Sequence, residues 1–157
     1  VNVQGDEPLI HPQTIDAAVC ALLADPACQV STSCVEIRSR AEFESPHNTK
    51  VVLDGGGHAL YFSRSPIPSL ARRPPEQIGD GQLFGYKHQG LYVYRREALM
   101  AFTRLPMGQL EDIEKLEQLR YLEHGYRIRV VITEHDSPGV DTPDDVAAVE
   151  ARLANPS

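Results

Sequence analysis

The chain has 157 residues, enough for one domain with a substantial core; 41% are hydrophobic and 24% charged, ordinary values for a globular protein. A formal net charge of −7 argues against the clustered basic surface that nucleic-acid binding needs. Three cysteines, Cys20, Cys28 and Cys34, have no C-x-x-C spacing, which argues against a disulfide framework or a structural zinc site, and no apolar run is long enough to span a membrane.

Val1-Asn2-Val3-Gln4 reads as a strand that enters an acidic turn, Gly5-Asp6-Glu7-Pro8. His11-Pro12 opens a helix, with Ile15, Val19, Leu22 and Leu23 at helical spacing, and Pro26 stops it. Gln29 to Ile37 is β-branched and reads as a strand, so the opening predicts a βαβ unit and a parallel sheet. Lys50–Leu53 and Ala59–Phe62 flank Asp54-Gly55-Gly56-Gly57, a hairpin whose turn needs positive φ. Residues 65–85 are rich in Pro, Arg and Gly and predict a long surface loop.

Tyr86–Tyr94 returns to strand, and a helix follows from Arg96. Leu110 to His124 predicts one continuous helix closed by Gly125. Tyr126–Thr133 alternates as a last strand, with Ile128, Val130 and Ile132 on one face. Thr142, Pro143 and Asp145 form a capping-box pattern for a final helix.

Several side chains carry possible chemistry. Asp6 follows a strand, and Asp141 precedes the last helix. Strand ends are where open α/β sheets bind ligands, and magnesium takes one or two carboxylates together with phosphate oxygens. The same acids also suit a plain turn and a helix N-terminus. Arg64 ends a hydrophobic strand and either grips a carboxylate with its fork or is an ordinary surface arginine. Period two places Tyr86, His88, Tyr92 and Tyr94 on one face with a gap at Gly90, a surface suited to a polyhydroxylated ligand or to simple packing. Glu117 falls in the inward stripe of its helix, where it binds a ligand hydroxyl or pairs with Arg120.

The stretches VNVQGDEP, KVVLD with ALYFSRSPIP, KHQGLYVYRR, LEQLR and GVDTPDDV, in this order across nearly the whole chain, resemble the 3-deoxy-manno-octulosonate (Kdo) cytidylyltransferases. The resemblance implies transfer of CMP from CTP to the anomeric hydroxyl of Kdo for lipopolysaccharide synthesis. It implies a nucleotidyltransferase-type, Rossmann-like α/β fold: a mixed sheet flanked by helices with a β-rich insertion. Residues 1–49 and 125–157 would form the α/β core, and 50–124 the sugar-binding and dimerisation region. Asp6 and Asp141 match the magnesium ligands. Arg64 would hold the sugar carboxylate, with Gln4, His88, Tyr92, Glu117 and Gln118 around the sugar acid.

The unpaired cysteine pattern and the lack of a long apolar run point to a cytoplasmic setting, and the resemblance implies a homodimer. Two departures stand out. Gln89 replaces an aliphatic residue beside His88, and the family's opening P-A-R…S-x-R-L-P-x-K loop for the triphosphate is not in this sequence. The sequence therefore reads as the back part of a longer protein whose first βα units are missing, with weak activity expected of this chain alone. A cytidylyltransferase for another sugar acid, or a non-catalytic sugar-acid-binding or dimerisation module, are the competing expectations.

Overall fold

A computed structural model describes residues 1–74, 77–140 and 143–154. Six strands form one mixed sheet: β1 (Asn2–Val3), β2 (Val30–Ile37), β3 (Lys50–Leu53), β4 (Ala59–Ser63), β5 (Gly85–Tyr94) and β6 (Ile128–Ile132). The strand order is β4-β3-β5-β2-β6, with β1 also paired to β5. Among the described residues only β2 and β6 pair in parallel; every other strand pairing is antiparallel.

The opening segment corrects the simple parallel expectation. β1 and β2 run in the same direction, but β5 lies between them, antiparallel to both. The composition of β5 suits that central place, because both of its faces are covered. Leu91 and Val93 pack under the helix α1 (Pro12–Ala24), while Tyr92 joins the opposite core.

Pro12 occupies the first turn of α1, and His11 caps it by accepting the Gln13 N–H on Nδ1 at 3.2 Å. Its inward residues are Thr14, Ala18 and Leu22, one helical repeat apart, whereas Leu23 is 68% exposed. The inward stripe is therefore rotated from the predicted one, because Thr14 can face inward by bonding Thr133 Oγ1 at 3.0 Å.

The larger core lies on the other face, where Phe62, Tyr92, Leu119, Ile128 and Val130 meet. Each fully buried leucine or isoleucine there contributes about 1.5–3 kcal/mol. Ile132, expected on the same buried face, is 50% exposed at the end of β6. Residues 38–49 hold a short helix, α2 (Arg40–Glu44), whose Phe43 packs with Ile37 and Phe84. Leu70 and Ile78 of the long 65–84 segment cover that cluster, so the segment is anchored by apolar contacts.

The predicted helix over 110–124 is two helices. After α3 (Arg96–Phe102), α4 (Gln109–Glu114) ends where Lys115 turns left-handed at φ 55°, and α5 (Gln118–Glu123) starts afresh. The break changes the helical phase: Leu116 and Leu119 are buried, while Leu110 and Ile113 are exposed. Glu123 reaches back to accept the N–H groups of Leu110 and Glu111 at 2.9 and 3.3 Å, which caps α4. Gly125, at φ 78°, follows α5 as its C′ residue. A last helix, α6 (Pro143–Ala154), closes the chain; Asp141 and Thr142 lie outside the described residues. No helix among the described residues is long and apolar enough to cross a membrane.

Candidate active site

One strand has two edges, and β2 occupies one edge of β5, so β1 and β3 share the other. β3 pairs at Tyr86 and Lys87 and β1 at Leu91 and Tyr92. Backbone bonds continue from the His88 N–H to the Thr49 carbonyl and from the Gln4 N–H to the Gly90 carbonyl, which leaves a break opposite Gln89. The same stretch of β5 carries a bulge: Thr32 pairs with Tyr92, but Ser33 pairs with Gln89. Broken pairing and a bulge are how a sheet opens a concavity and re-aims side chains.

A cavity of about 1000 Å³ opens at this break. Gln4, Asp6, Arg64, His88, Tyr92, Glu117 and Gln118 all line it. The eighth predicted position, Asp141, lies outside the described residues. Its neighbour Val140 nevertheless donates its N–H to the Asp6 carbonyl at 2.8 Å, so the chain reaches Asp6 immediately before Asp141.

The gap at Gly90 is filled rather than vacant. A Cβ on Gly90 would collide with the Gln4 side chain, and Gln4 donates its backbone N–H to the Gly90 carbonyl at 2.8 Å. Glycine leaves room for Gln4 in this position; a larger residue would make the Gln4 side chain shift. The Gly90 N–H donates to Glu7 Oε1. Glu7 Oε2 and Ser137 Oγ are both buried. Burial raises the Glu7 carboxyl above its ordinary range, against the Gly90 N–H and the Ser137 hydroxyl, which act to lower it.

The aromatic face follows the predicted period. His88 stands 5.3 Å from the Tyr92 ring and edge-on to Phe62 at 5.0 Å, and Tyr92 stacks on Tyr94 at 5.9 Å. Enclosure by these rings pushes the His88 pKa down to about 3, so its imidazole is neutral at physiological pH. Burial also raises Tyr92 well above the ordinary phenol value.

Glu117 is exposed at the start of α5, and its anticipated partner is taken. Arg120 pairs with Glu111 instead, through a two-point contact of 2.6 and 2.5 Å, and its guanidinium lies 4.1 Å over the Phe102 ring. The break at Lys115 is the cause, since it brings Glu111 of α4 opposite Arg120 of α5. Glu117 is left facing the cavity with no ion-pair partner among the described residues. Arg64 is likewise exposed and, among the described residues, unpaired with any carboxylate side chain; its guanidinium rests on the Pro46 carbonyl at 3.3 Å.

Sequence reasoning missed Glu7, Lys87 and Lys115, which also line the cavity. Lys87 is neutralised by Glu42 and Asp136, each at 2.8 Å. Gln89, the polar departure beside His88, is buried and bridges Ser33 Oγ and the His135 carbonyl, both at 2.8 Å. That bridge explains how a polar side chain is accommodated inside the sheet.

A separate group, Asp25, Cys28 and His58, brings metal-type donor atoms within 4.8 Å of one another. These atoms are already engaged: the Cys28 thiol donates to Asp25 Oδ2 at 3.2 Å, and His58 Nε2 lies 2.8 Å from the same oxygen. The His58 contact holds the Asp25 carboxyl down at about 2, and burial pushes the Cys28 thiol up to about 11. The group ties the end of α1 to the β3–β4 turn. All three cysteines are free, and burial pushes Cys34 up to about 12.

Comparison with known proteins is consistent with this geometry. A family model described as cytidylyltransferase matches residues 1–128. The chain is 48% identical over 155 residues to a 3-deoxy-manno-octulosonate cytidylyltransferase of Desulfosudis oleivorans, covering 99% of this chain and 60% of the relative. It is 52% identical over 157 residues to the protein of that name from Geobacter sulfurreducens, covering 98% of this chain and 63% of the relative. A solved CMP:2-keto-3-deoxy-manno-octonic acid synthetase complexed with CTP superposes with a TM-score of 0.86 at 41% identity, over 98% of this chain and 60% of that one. The chain thus spans about three fifths of the length of these relatives. By its sequence match and its fold, it belongs to the cytidylyltransferase family.

Proposed function

We propose that this chain is the Kdo-binding part, with one metal-binding wall, of an enzyme that transfers CMP from CTP to Kdo. The observation that carries the reading is the convergence on a single cavity of Arg64, which has no carboxylate partner among the described residues, a neutral imidazole, a phenol, an amide pair and carboxylates, with Lys87 and Lys115 also on the wall but paired to acids. Kdo is a carboxylated polyol, so its pocket needs a fork for the carboxylate and several groups able to bond hydroxyls.

In this reading Arg64 takes the carboxylate, and Gln4, His88, Tyr92, Glu117 and Gln118 hold the hydroxyls. The anomeric oxygen forms a bond to the α-phosphorus of CTP, the bond from that phosphorus to the bridging oxygen breaks, and pyrophosphate leaves. The proton of the attacking hydroxyl passes to solvent water. The chain contributes mainly positioning, as suits attack on phosphorus. Asp6 fits a hard divalent cation, because its carboxylate is exposed on the cavity wall and the segment leading to Asp141 is bonded to its backbone. Asp6 and Asp141 would hold magnesium, whose chemistry here is neutralisation of phosphate charge.

The division into a core of 1–49 and 125–157 and a sugar-binding and pairing region of 50–124 belongs to the same proposal. Of the seven predicted site residues that line the cavity, five (Arg64, His88, Tyr92, Glu117 and Gln118) come from the second region. Homodimer assembly and a cytoplasmic setting complete it.

The test is pyrophosphate release with CTP, Kdo and magnesium. Turnover at least 100-fold lower in Asp6→Asn, with Kdo affinity retained, supports the reading. Kdo binding without turnover assigns this chain the sugar-acid half alone. Preference for a sialic acid over Kdo assigns a different sugar.

A further inference from the structure

Lys50 reads in the sequence as an ordinary first residue of a strand, yet it is fully buried at 0% exposure. Its ammonium has no carboxylate within ion-pair distance among the described residues. Instead all three of its donors meet backbone carbonyls: Ser45 at 2.7 Å, Asn48 at 2.5 Å and Arg64 at 2.6 Å. A buried ammonium costs several kcal/mol unless its donors are satisfied, and here they are satisfied entirely by main chain. A methionine would fill the same space without that cost, so the charge calls for a purpose beyond packing.

The three carbonyls have one thing in common. Ser45 and Asn48 bracket the turn that carries Pro46, on whose carbonyl the Arg64 guanidinium rests. The third is the carbonyl of Arg64 itself. From the opposite side, Glu114 Oε2 accepts the Arg64 N–H at 3.0 Å, and Oε1 accepts Ser63 Oγ at 2.5 Å and the Tyr61 hydroxyl at 3.2 Å. Both polar groups of the Arg64 backbone are therefore gripped by a charged side chain.

We propose that Lys50 and Glu114 are positioning residues that clamp the backbone of Arg64 and the turn beneath its side chain, setting the guanidinium for a carboxylate ligand. The proposal rests on the sugar-acid reading for the identity of that ligand. The Lys50 and Arg64 cations lie close enough to oppose each other's charge, and the Glu114 carboxylate offsets that repulsion while it holds the Arg64 N–H.

The experiment is a double-mutant cycle on this chain, read by calorimetric titration with Kdo. Lys50→Met is expected to weaken Kdo binding at least tenfold in the parent chain and less than twofold when Arg64→Ala is already present. An equal loss in both backgrounds shows general damage and overturns the clamp, as does unchanged affinity in Lys50→Met. If the parent chain binds no Kdo, the sugar-acid reading falls, and the clamp is then judged by hydrogen exchange at the Arg64 amide. Exchange more than tenfold faster in Lys50→Met upholds it, and unchanged exchange overturns it. If circular dichroism shows Lys50→Met unfolded, Glu114→Ala is carried through the same cycle and exchange measurement on the same criteria.

Discussion

Thr32 Oγ1 lies 2.8 Å from His88 Nε2 and 2.5 Å from the Leu91 carbonyl, so a single hydroxyl determines the tautomer of the cavity histidine. The hydroxyl has one proton and gives it to Leu91. It must then accept from His88, which places the ring proton on Nε2 and leaves Nδ1 as an acceptor. The bulge that shifts Thr32–Tyr92 to Ser33–Gln89 creates the opening in which this contact forms.

The pH dependence of stability follows from that enclosure. His88 titrates near 3 when folded and near 6.5 when unfolded, so between these values the unfolded chain binds the extra proton. Stability from this group is complete above about pH 6.5 and is lost as pH falls through the window. Urea unfolding of the parent chain should lose up to about 1.4 kcal/mol per pH unit more than His88→Gln between pH 6 and pH 4. Parallel curves for the two proteins would show that the imidazole is not desolvated.

Arg64→Lys keeps the charge but loses the planar fork. Kdo affinity should fall about 10- to 100-fold, the loss of about 1.5–3 kcal/mol expected for a charged hydrogen-bonded contact. Titration of Kdo into the folded variant measures it, and affinity within twofold of the parent would remove Arg64 from the carboxylate subsite.

Glu7 should show the opposite sign from an ordinary surface acid. Burial raises its folded pKa above the unfolded one, so the folded chain holds the proton more tightly and ionisation at neutral pH opposes folding. Glu7→Gln is expected to raise Tm at pH 7.5 by a few degrees, about 1 kcal/mol, with the gain shrinking as pH falls toward 4. A lower Tm at pH 7.5 would mean that the charged bond to the Gly90 N–H outweighs the burial.

Gly90→Ala places a methyl group into the Gln4 side chain. Overpacking of this kind costs about 1–3 kcal/mol. The urea midpoint should drop accordingly, and Gln4→Ala in the same chain should restore most of it. Failure of that rescue would place the strain in the bulge backbone instead.

The elements most legible in the sequence are those whose signal is local. The Asp54–Gly57 turn forms because Asp54 Oδ1 accepts the Gly56 and His58 N–H groups at 2.8 and 2.9 Å while Gly57 takes φ 79°. The alternation in β5 puts His88, Tyr92 and Tyr94 in ring contact because two extra residues at the bulge preserve the parity of faces. The break at Lys115 had no local signal, since the apolar pattern across Leu110–Leu122 is continuous and lysine does not announce a left-handed turn. Its consequences were hidden with it: Arg120 faces Glu111, and Glu117 is released to the cavity.

By itself, the sequence determined the kinds of element and the chemistry at their ends: acids after the first strand, an arginine ending a hydrophobic strand, and a polar-aromatic face on another. These follow from periodicity and turn chemistry, which act over a few residues. Only the tertiary structure decided that β5 enters between β1 and β2, that Gln4 fills the space over Gly90, and that Lys50 is buried among the carbonyls of Ser45, Asn48 and Arg64. The reason is physical: a buried charge or a broken sheet edge is stable only when remote segments close around it and supply its partners, and no local pattern records that closure.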